Sequence, residues 1–136
     1  MKGQCVALGD VFLVPVDGGF VPGKVLFVSK VFSGVILVAL YKVRVSSASE
    51  FRGLPDRFSV LLYTGKDPIS RGRWPWIKSC DLLDSERGLS RRIVAGDVWV
   101  EDDCVGVASE EDAACAPRML VLGAKLLEKR ASELLA

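Results

Sequence analysis

The sequence predicts a mainly β domain with a C-terminal α-helix, built as a small curved antiparallel sheet or a partly open barrel. Three observations predict this. Three apolar runs, Val11–Val16, Lys24–Ser29 and Gly34–Val45, follow one another and are rich in Val, Phe, Leu and Ile, the residues that suit a pleated, half-buried surface. Turn residues separate them, Asp17-Gly18-Gly19 first and Lys30–Ser33 second, which bounds each run at strand length. At the other end of the chain, Ala124–Leu135 carries apolar residues at helical spacing.

Taken in order, Met1–Ala7 is expected as a short lead-in strand with Val6 and Leu8 as anchors. Strand one ends at Asp17-Gly18, a strong hairpin signal because glycine accepts positive φ freely. Strand two follows Pro22-Gly23, and strand three is apolar on both faces through Leu40, the mark of a covered central strand. Ser46–Arg57 reads as a loop, Phe58–Tyr63 as a fourth strand and Thr64–Arg73 as a second loop. Trp74-Pro75-Trp76-Ile77 reads as an edge strand, since Pro75 has no N–H for a ladder. Asp81–Arg92 is polar and fits a helical turn. Val98-Trp99-Val100 and Cys104–Val107 flank Asp102-Asp103 as a second hairpin. Ser109-Glu110-Glu111-Asp112 resembles a capping box, opening a short helix that Pro117 ends. Met119–Leu122 fits a last strand. In the final helix Leu126, Leu127, Ala131, Leu134 and Leu135 form one stripe, opposite Lys125, Lys129 and Glu133.

A length of 136 residues with half of them apolar predicts one domain with its own core. No secretory signal is evident, and the longest apolar run, Gly34–Tyr41, falls far short of the roughly 20 residues that cross a bilayer. A cytoplasmic protein without membrane contact is expected. The chain has no histidine. That excludes Ser-His and Cys-His nucleophile pairs and every histidine-containing zinc site. Cys5, Cys80, Cys104 and Cys115 form no C-x-x-C pair and read as free thiols. Gly18–Lys24 matches the opening of a phosphate-binding loop, but Val25 stands where Ser or Thr would hold magnesium, so a hairpin is the better reading. No catalytic residue, cofactor or metal is expected; Asp102-Asp103 lacks the further oxygen ligands that calcium needs.

Charge is uneven along the chain. Lys42–Arg92 holds 11 Lys or Arg against 6 Asp or Glu, whereas Ile93–Ala136 holds 4 against 9. Six acids gather in Glu101–Asp112, and such a dipolar surface steers charged partners. Candidate partner-binding residues are therefore Glu101, Asp102, Asp103, Glu110 and Glu111, joined by Trp74, Trp76 and Arg73. As a strand, Trp74-Pro75-Trp76 places both indoles on one face. A partner of opposite sign would meet Arg71, Arg73, Arg91 and Arg92 instead.

Gly9-Asp10-Val11-Phe12-Leu13-Val14-Pro15, then Asp17-Gly18-Gly19-Phe20 and Gly23-Lys24-Val25, resemble the start of the immunity protein 26 family of bacterial polymorphic toxin systems. Gly72-Arg73-Trp74 is similar to a later Gly-x-Trp stretch of that family, and Asp97–Val107 to its hairpin with an acidic turn. The chain departs from the family in Ser46–Arg57 and in Trp74-Pro75-Trp76. The resemblance implies a non-enzymatic immunity protein that binds and neutralises a cognate toxin domain. Two other readings stand beside it. Gly9–Ser29 also resembles the first hairpin of the PemK/MazF-type RNA endonuclease barrel, although Pro22-Gly23-Lys24 and Val43-Arg44-Val45-Ser46 replace that family's Arg-Pro and Thr-Ser pairs. A small barrel binding nucleic acid through Arg71, Arg73, Arg91 and Arg92 would need interleaved aromatics, and only Trp74 and Trp76 lie near, so nucleic acid is not the expected partner.

Overall fold

The computed structural model describes residues 6–86, 89–90, 92–111 and 120–135. Its elements are β1 (Asp10–Val16), β2 (Gly19–Val28), β3 (Val35–Leu40), β4 (Val60–Gly65), α1 (Asp67–Ser70), β5 (Trp76–Ser79), β6 (Arg92–Val94), β7 (Asp97–Val100), β8 (Asp103–Val107), β9 (Val121–Leu122) and α2 (Ala124–Leu134). Six strands form the main sheet in the order β5-β1-β2-β3-β4-β9, and β6-β7-β8 form a second sheet. All pairings are antiparallel except β4 with β9. The main sheet stays open, with β5 and β9 at its edges, so the fold is mainly β with a C-terminal helix and not a closed barrel. The lead-in residues up to Cys5 and the segment that holds Asp112, Cys115, Pro117 and Met119 lie outside the described residues.

Asp17-Gly18 makes the first hairpin as expected, with Val16 opposite Gly19. β2 starts earlier than predicted and runs through Pro22 and Gly23. Proline is tolerated there for a geometric reason. Leu13 faces Pro22 but sends its own N–H away, to the Pro75 carbonyl at 2.9 Å. The bond that Pro22 cannot donate therefore points towards β3, which has already ended at Leu40; Tyr41 N–H still donates to the Pro22 carbonyl at 3.0 Å. β3 stops short of the predicted Val45 because the chain turns back there, and Val45 bridges Phe20. Gly19 makes that bridge possible, since a Cβ on it would stand 2.5 Å from the Val45 carbonyl oxygen.

A bulge decides which face each β2 side chain joins. Val25 pairs with Val38 and Phe27 with Leu37, leaving Leu26 as the extra residue. One inserted residue reverses the alternation. Val21 and Val25 therefore join a first core with Phe12, Val14, Ile36, Val38, Leu40, Ile69, Trp74, Leu127 and Ala131. Leu26 and Phe27 join a second core on the opposite face with Leu37, Ala39, Tyr41 and Tyr63.

α2 closes the first core through Leu127 and Ala131, both fully buried, while Leu134 and Leu135 pack at its margin. Leu126 departs from the predicted stripe and is 49% exposed. Glu128 fixes the helix in place. It accepts from Arg73 at 2.6 and 2.7 Å and from the Trp74 indole N–H at 2.8 Å. The Arg73 hydrogen bond outweighs partial burial and holds the Glu128 carboxyl below its usual range. Trp74 in turn stacks on Phe12 at 5.8 Å.

The predicted edge strand is real but begins at Trp76. Trp74 precedes it, held in a turn by its N–H on the Pro68 carbonyl at 2.9 Å. The two indoles therefore do not share a strand face as expected: Trp74 is fully buried and Trp76 is 40% exposed.

Truncating Leu127 to Ala is expected to cost about 2–5 kcal/mol of unfolding free energy, as for a fully buried leucine. Leu126→Ala should cost less than about 1 kcal/mol. Denaturant titration of the two variants checks this, and equal losses would contradict the docking of α2.

Candidate functional site

The second sheet carries the acidic hairpin. Ala95-Gly96 joins β6 to β7 with both residues at positive φ, 51° and 86°, the geometry of a two-residue hairpin turn. Glu101-Asp102 joins β7 to β8, and Glu101 sits at φ 54° without being glycine. Such a residue persists only where its surroundings fix it, and here they do. Glu101 N–H donates to the Ser90 hydroxyl at 2.9 Å, and its carbonyl accepts from the Arg92 guanidinium.

Arg92 has no exposed surface. Its guanidinium carbon lies 5.5–5.7 Å from the ring centres of Phe27, Phe32 and Tyr63, within cation–π range. Nη1 also donates to the Ser90 carbonyl at 3.0 Å. Nε and Nη2 have no partner among the described residues.

Asp102 completes the attachment. It accepts from the Ser29 hydroxyl at 2.6 Å, from Lys30 N–H at 2.8 Å and from Val31 N–H at 3.4 Å. Those donors lie in the connection between β2 and β3. Burial pushes the Asp102 carboxyl up, but the Ser29 hydroxyl, the two amides and the Arg92 charge together outweigh it and hold the group below its usual range. Trp99 of β7 packs edge-on against Phe32 at 5.1 Å. The hairpin is thus held to the main sheet by side chains from both parts.

The predicted site residues separate into different roles. Glu101 and Asp103 are exposed and make no ion pair among the described residues. Asp102 faces inward and caps the β2–β3 connection. Glu110 and Glu111 are exposed, but Ala108 N–H donates to the Gly96 carbonyl at 2.9 Å, which places the segment after β8 at the other end of the hairpin. The two acid groups, close in sequence, therefore flank the ends of a five-residue strand, roughly 15 Å apart at about 3.3 Å per residue. Trp74 leaves the candidate surface because it is core. Arg73 is tied to Glu128 on the helix side, and Trp76 lies on β5 at an edge of the main sheet. The structure does not gather these three with the hairpin acids.

Between the two acid pairs runs β8, an edge strand of the second sheet with every residue exposed. Val105 is 58% and Val107 84% exposed. Val31, beside Asp102, is exposed as well.

Sequence reasoning missed Arg92, Ser29 and Ser90. Arg92 was expected in a surface basic group with Arg71, Arg73 and Arg91; burial removes it, and Arg91 lies outside the described residues. The one available signal was its position at the start of Ile93-Val94. Lys24 and Glu86 were missed likewise. Lys24 sits inside β2 with 4% exposure and donates to Glu86 and to the Asp81 carbonyl, each at 2.8 Å. Glu86 also accepts from Leu83 N–H at 2.8 Å. This buried pair anchors the segment that follows β5 to the second face. The neighbouring Tyr41 hydroxyl is pushed up to about 12 by burial first, then by Glu86 and Cys80.

Comparison with known protein families, with curated proteins and with solved structures finds no match to this chain. Among the described residues no helix is long and apolar enough to cross a membrane.

Two pH measurements check this geometry. Tyr63 is also pushed up to about 12, by burial, with the Arg92 charge opposing. The chain has two tyrosines, so tyrosinate absorbance should stay nearly absent at pH 10 and rise only as pH approaches 12. Stability linked to these groups is full below pH 10 and is lost as pH rises through about 12. At acid pH the sign reverses. The lowered Asp102 carboxyl contributes stability above its unfolded value of about 3.9 and loses it as pH falls through the folded value. Asp102→Asn should cost about 1–3 kcal/mol at pH 7, with the difference from wild type shrinking below pH ~4.

Proposed function

We propose that this protein is a non-enzymatic inhibitor that binds and neutralises a toxin domain bearing a basic cleft, using β8 and the acids at its two ends. The observation that carries the reading is the exposed edge strand. Every β8 residue is open to water, and its valines form an apolar strip between Glu101 and Asp103 at one end and Glu110 and Glu111 at the other. Exposed edges are ordinarily blunted or covered. An edge left open with carboxylates at each end suits addition of a partner's segment, with backbone hydrogen bonds supplying affinity and charge supplying selection. Pairing of β8 with a second copy of itself is disfavoured by the same acids, which antiparallel contact would bring together.

The anchored turn supports the reading further. Ser90, Arg92 and Asp102 hold the backbone of the turn while Glu101 and Asp103 face water. Carboxylates presented on a fixed backbone lose little entropy on binding. Burial of Arg92 removes one cation from the nucleic-acid reading, and Arg73 is already engaged by Glu128.

The test needs a candidate toxin domain with a basic cleft, sought among the genes that neighbour this one. Glu101→Lys with Asp103→Lys should slow association at low salt by about tenfold or more, with the difference fading at high salt. Val105→Arg should act through a faster dissociation rate. Unchanged kinetics in both variants, or cleavage of RNA by the purified protein alone, would overturn the proposal.

A further inference from the structure

A second feature lies at the other edge of the main sheet. β9 is two residues long and, among the described residues, pairs with Tyr63 and Thr64 of β4. No strand among the described residues covers the outer edge of Val60–Leu62. Because side chains alternate along a strand, Leu61 and Leu62 reach this edge from opposite faces, and a groove opens beside them. Its volume is about 400 Å³, and Leu37, Leu89, Leu120, Leu122 and Leu126 complete its apolar wall. That volume falls within the range of small-molecule sites, roughly 300–1,000 Å³.

The groove has two polar side chains, Tyr63 and Arg130. The Tyr63 hydroxyl already donates to the Ser90 carbonyl at 3.2 Å. Arg130 is exposed and makes no ion pair among the described residues. It follows Leu126 by four residues on α2, so the two stand on one helix face. Leu126 is 49% and Leu120 72% exposed, leaving large apolar surface in water beside one unpaired cation.

We propose that this groove binds a small apolar carboxylate of the fatty-acid class, its chain among the leucines and its carboxylate on Arg130. The planar guanidinium presents paired N–H groups that match a carboxylate. Polar groups along the ligand body would be buried against leucine without partners, which selects a ligand polar at one end only. This site is separate from β8, so its fate is independent of the inhibitor reading.

The test is amide-resolved NMR titration of the full chain with decanoate below its micelle concentration, with decan-1-ol as the uncharged control. Saturable shifts centred on Leu61, Leu62, Tyr63, Leu126 and Arg130 are expected. Decan-1-ol should bind about tenfold or more weaker, and Arg130→Gln should weaken decanoate by a similar factor. Leu126→Ser, at a half-exposed position, should weaken both ligands while leaving the hydrogen-exchange protection of the α2 amides as in the wild type. Non-saturating or scattered shifts, equal affinity for acid and alcohol, or indifference to Arg130→Gln would overturn the proposal. So would binding of an apolar peptide by a groove that ignores decanoate, which would mark a protein-docking edge instead.

Discussion

A guanidinium with no exposed surface sets the arrangement of the two sheets. Arg92 belongs to β6, yet it lies over Phe27, Phe32 and Tyr63, residues of the main sheet and its β2–β3 connection. Arginine does not shed its proton in a protein, so the surroundings must meet the charge. Three aromatic faces, two backbone carbonyls and the nearby Asp102 carboxylate do so. The compensation is incomplete, since Nε and Nη2 stay unpartnered among the described residues. Arg92 strongly restricts where β6 can sit, because few other positions offer those partners together.

The hairpin follows from that restriction. Once Arg92 and Ser90 hold Glu101, and Asp102 holds Ser29 and its neighbours, the β7–β8 turn is fixed despite the positive φ of Glu101. β8 is then the outer strand, open to solvent. A second buried charge works in a similar way on the segment after β5, where Lys24 meets Glu86 and the Asp81 carbonyl. In both places a polar group inside an apolar layer specifies one docking geometry, and loss of Lys24 would leave Glu86 buried and uncompensated.

Much of the fold is legible in the sequence. Asp17-Gly18 announces the first hairpin, the Val-rich runs announce β1 to β3, and Leu127 with Ala131 announces the buried face of α2. What is not legible has identifiable causes. The Leu26 bulge reverses the side-chain alternation, so period-two reasoning assigns Phe27 to the wrong face, and with it the aromatic seat of Arg92 is lost. Trp74-Pro75-Trp76 has strand composition, but the turn after α1 claims Trp74, and proximity to Phe12 and Glu128 decides its burial. Lys24 and Arg92 look like ordinary surface cations because their partners, Glu86 and the three aromatics, are distant in sequence. The acid cluster is visible as composition, yet only the fold shows that Asp102 faces inward while Glu101 and Asp103 face out.

Native-state hydrogen exchange on Arg92→Met tests the central claim most directly. Methionine keeps much of the side-chain length and removes the charge and its donors. If Arg92 is what holds the second sheet in place, amides of β6, β7 and β8 should lose protection together, by about tenfold or more, as one subglobal unit. Amides of β1, β2 and β3 should exchange as in the wild type. Unchanged protection in β6–β8, or an equal loss across both sheets, would contradict the account.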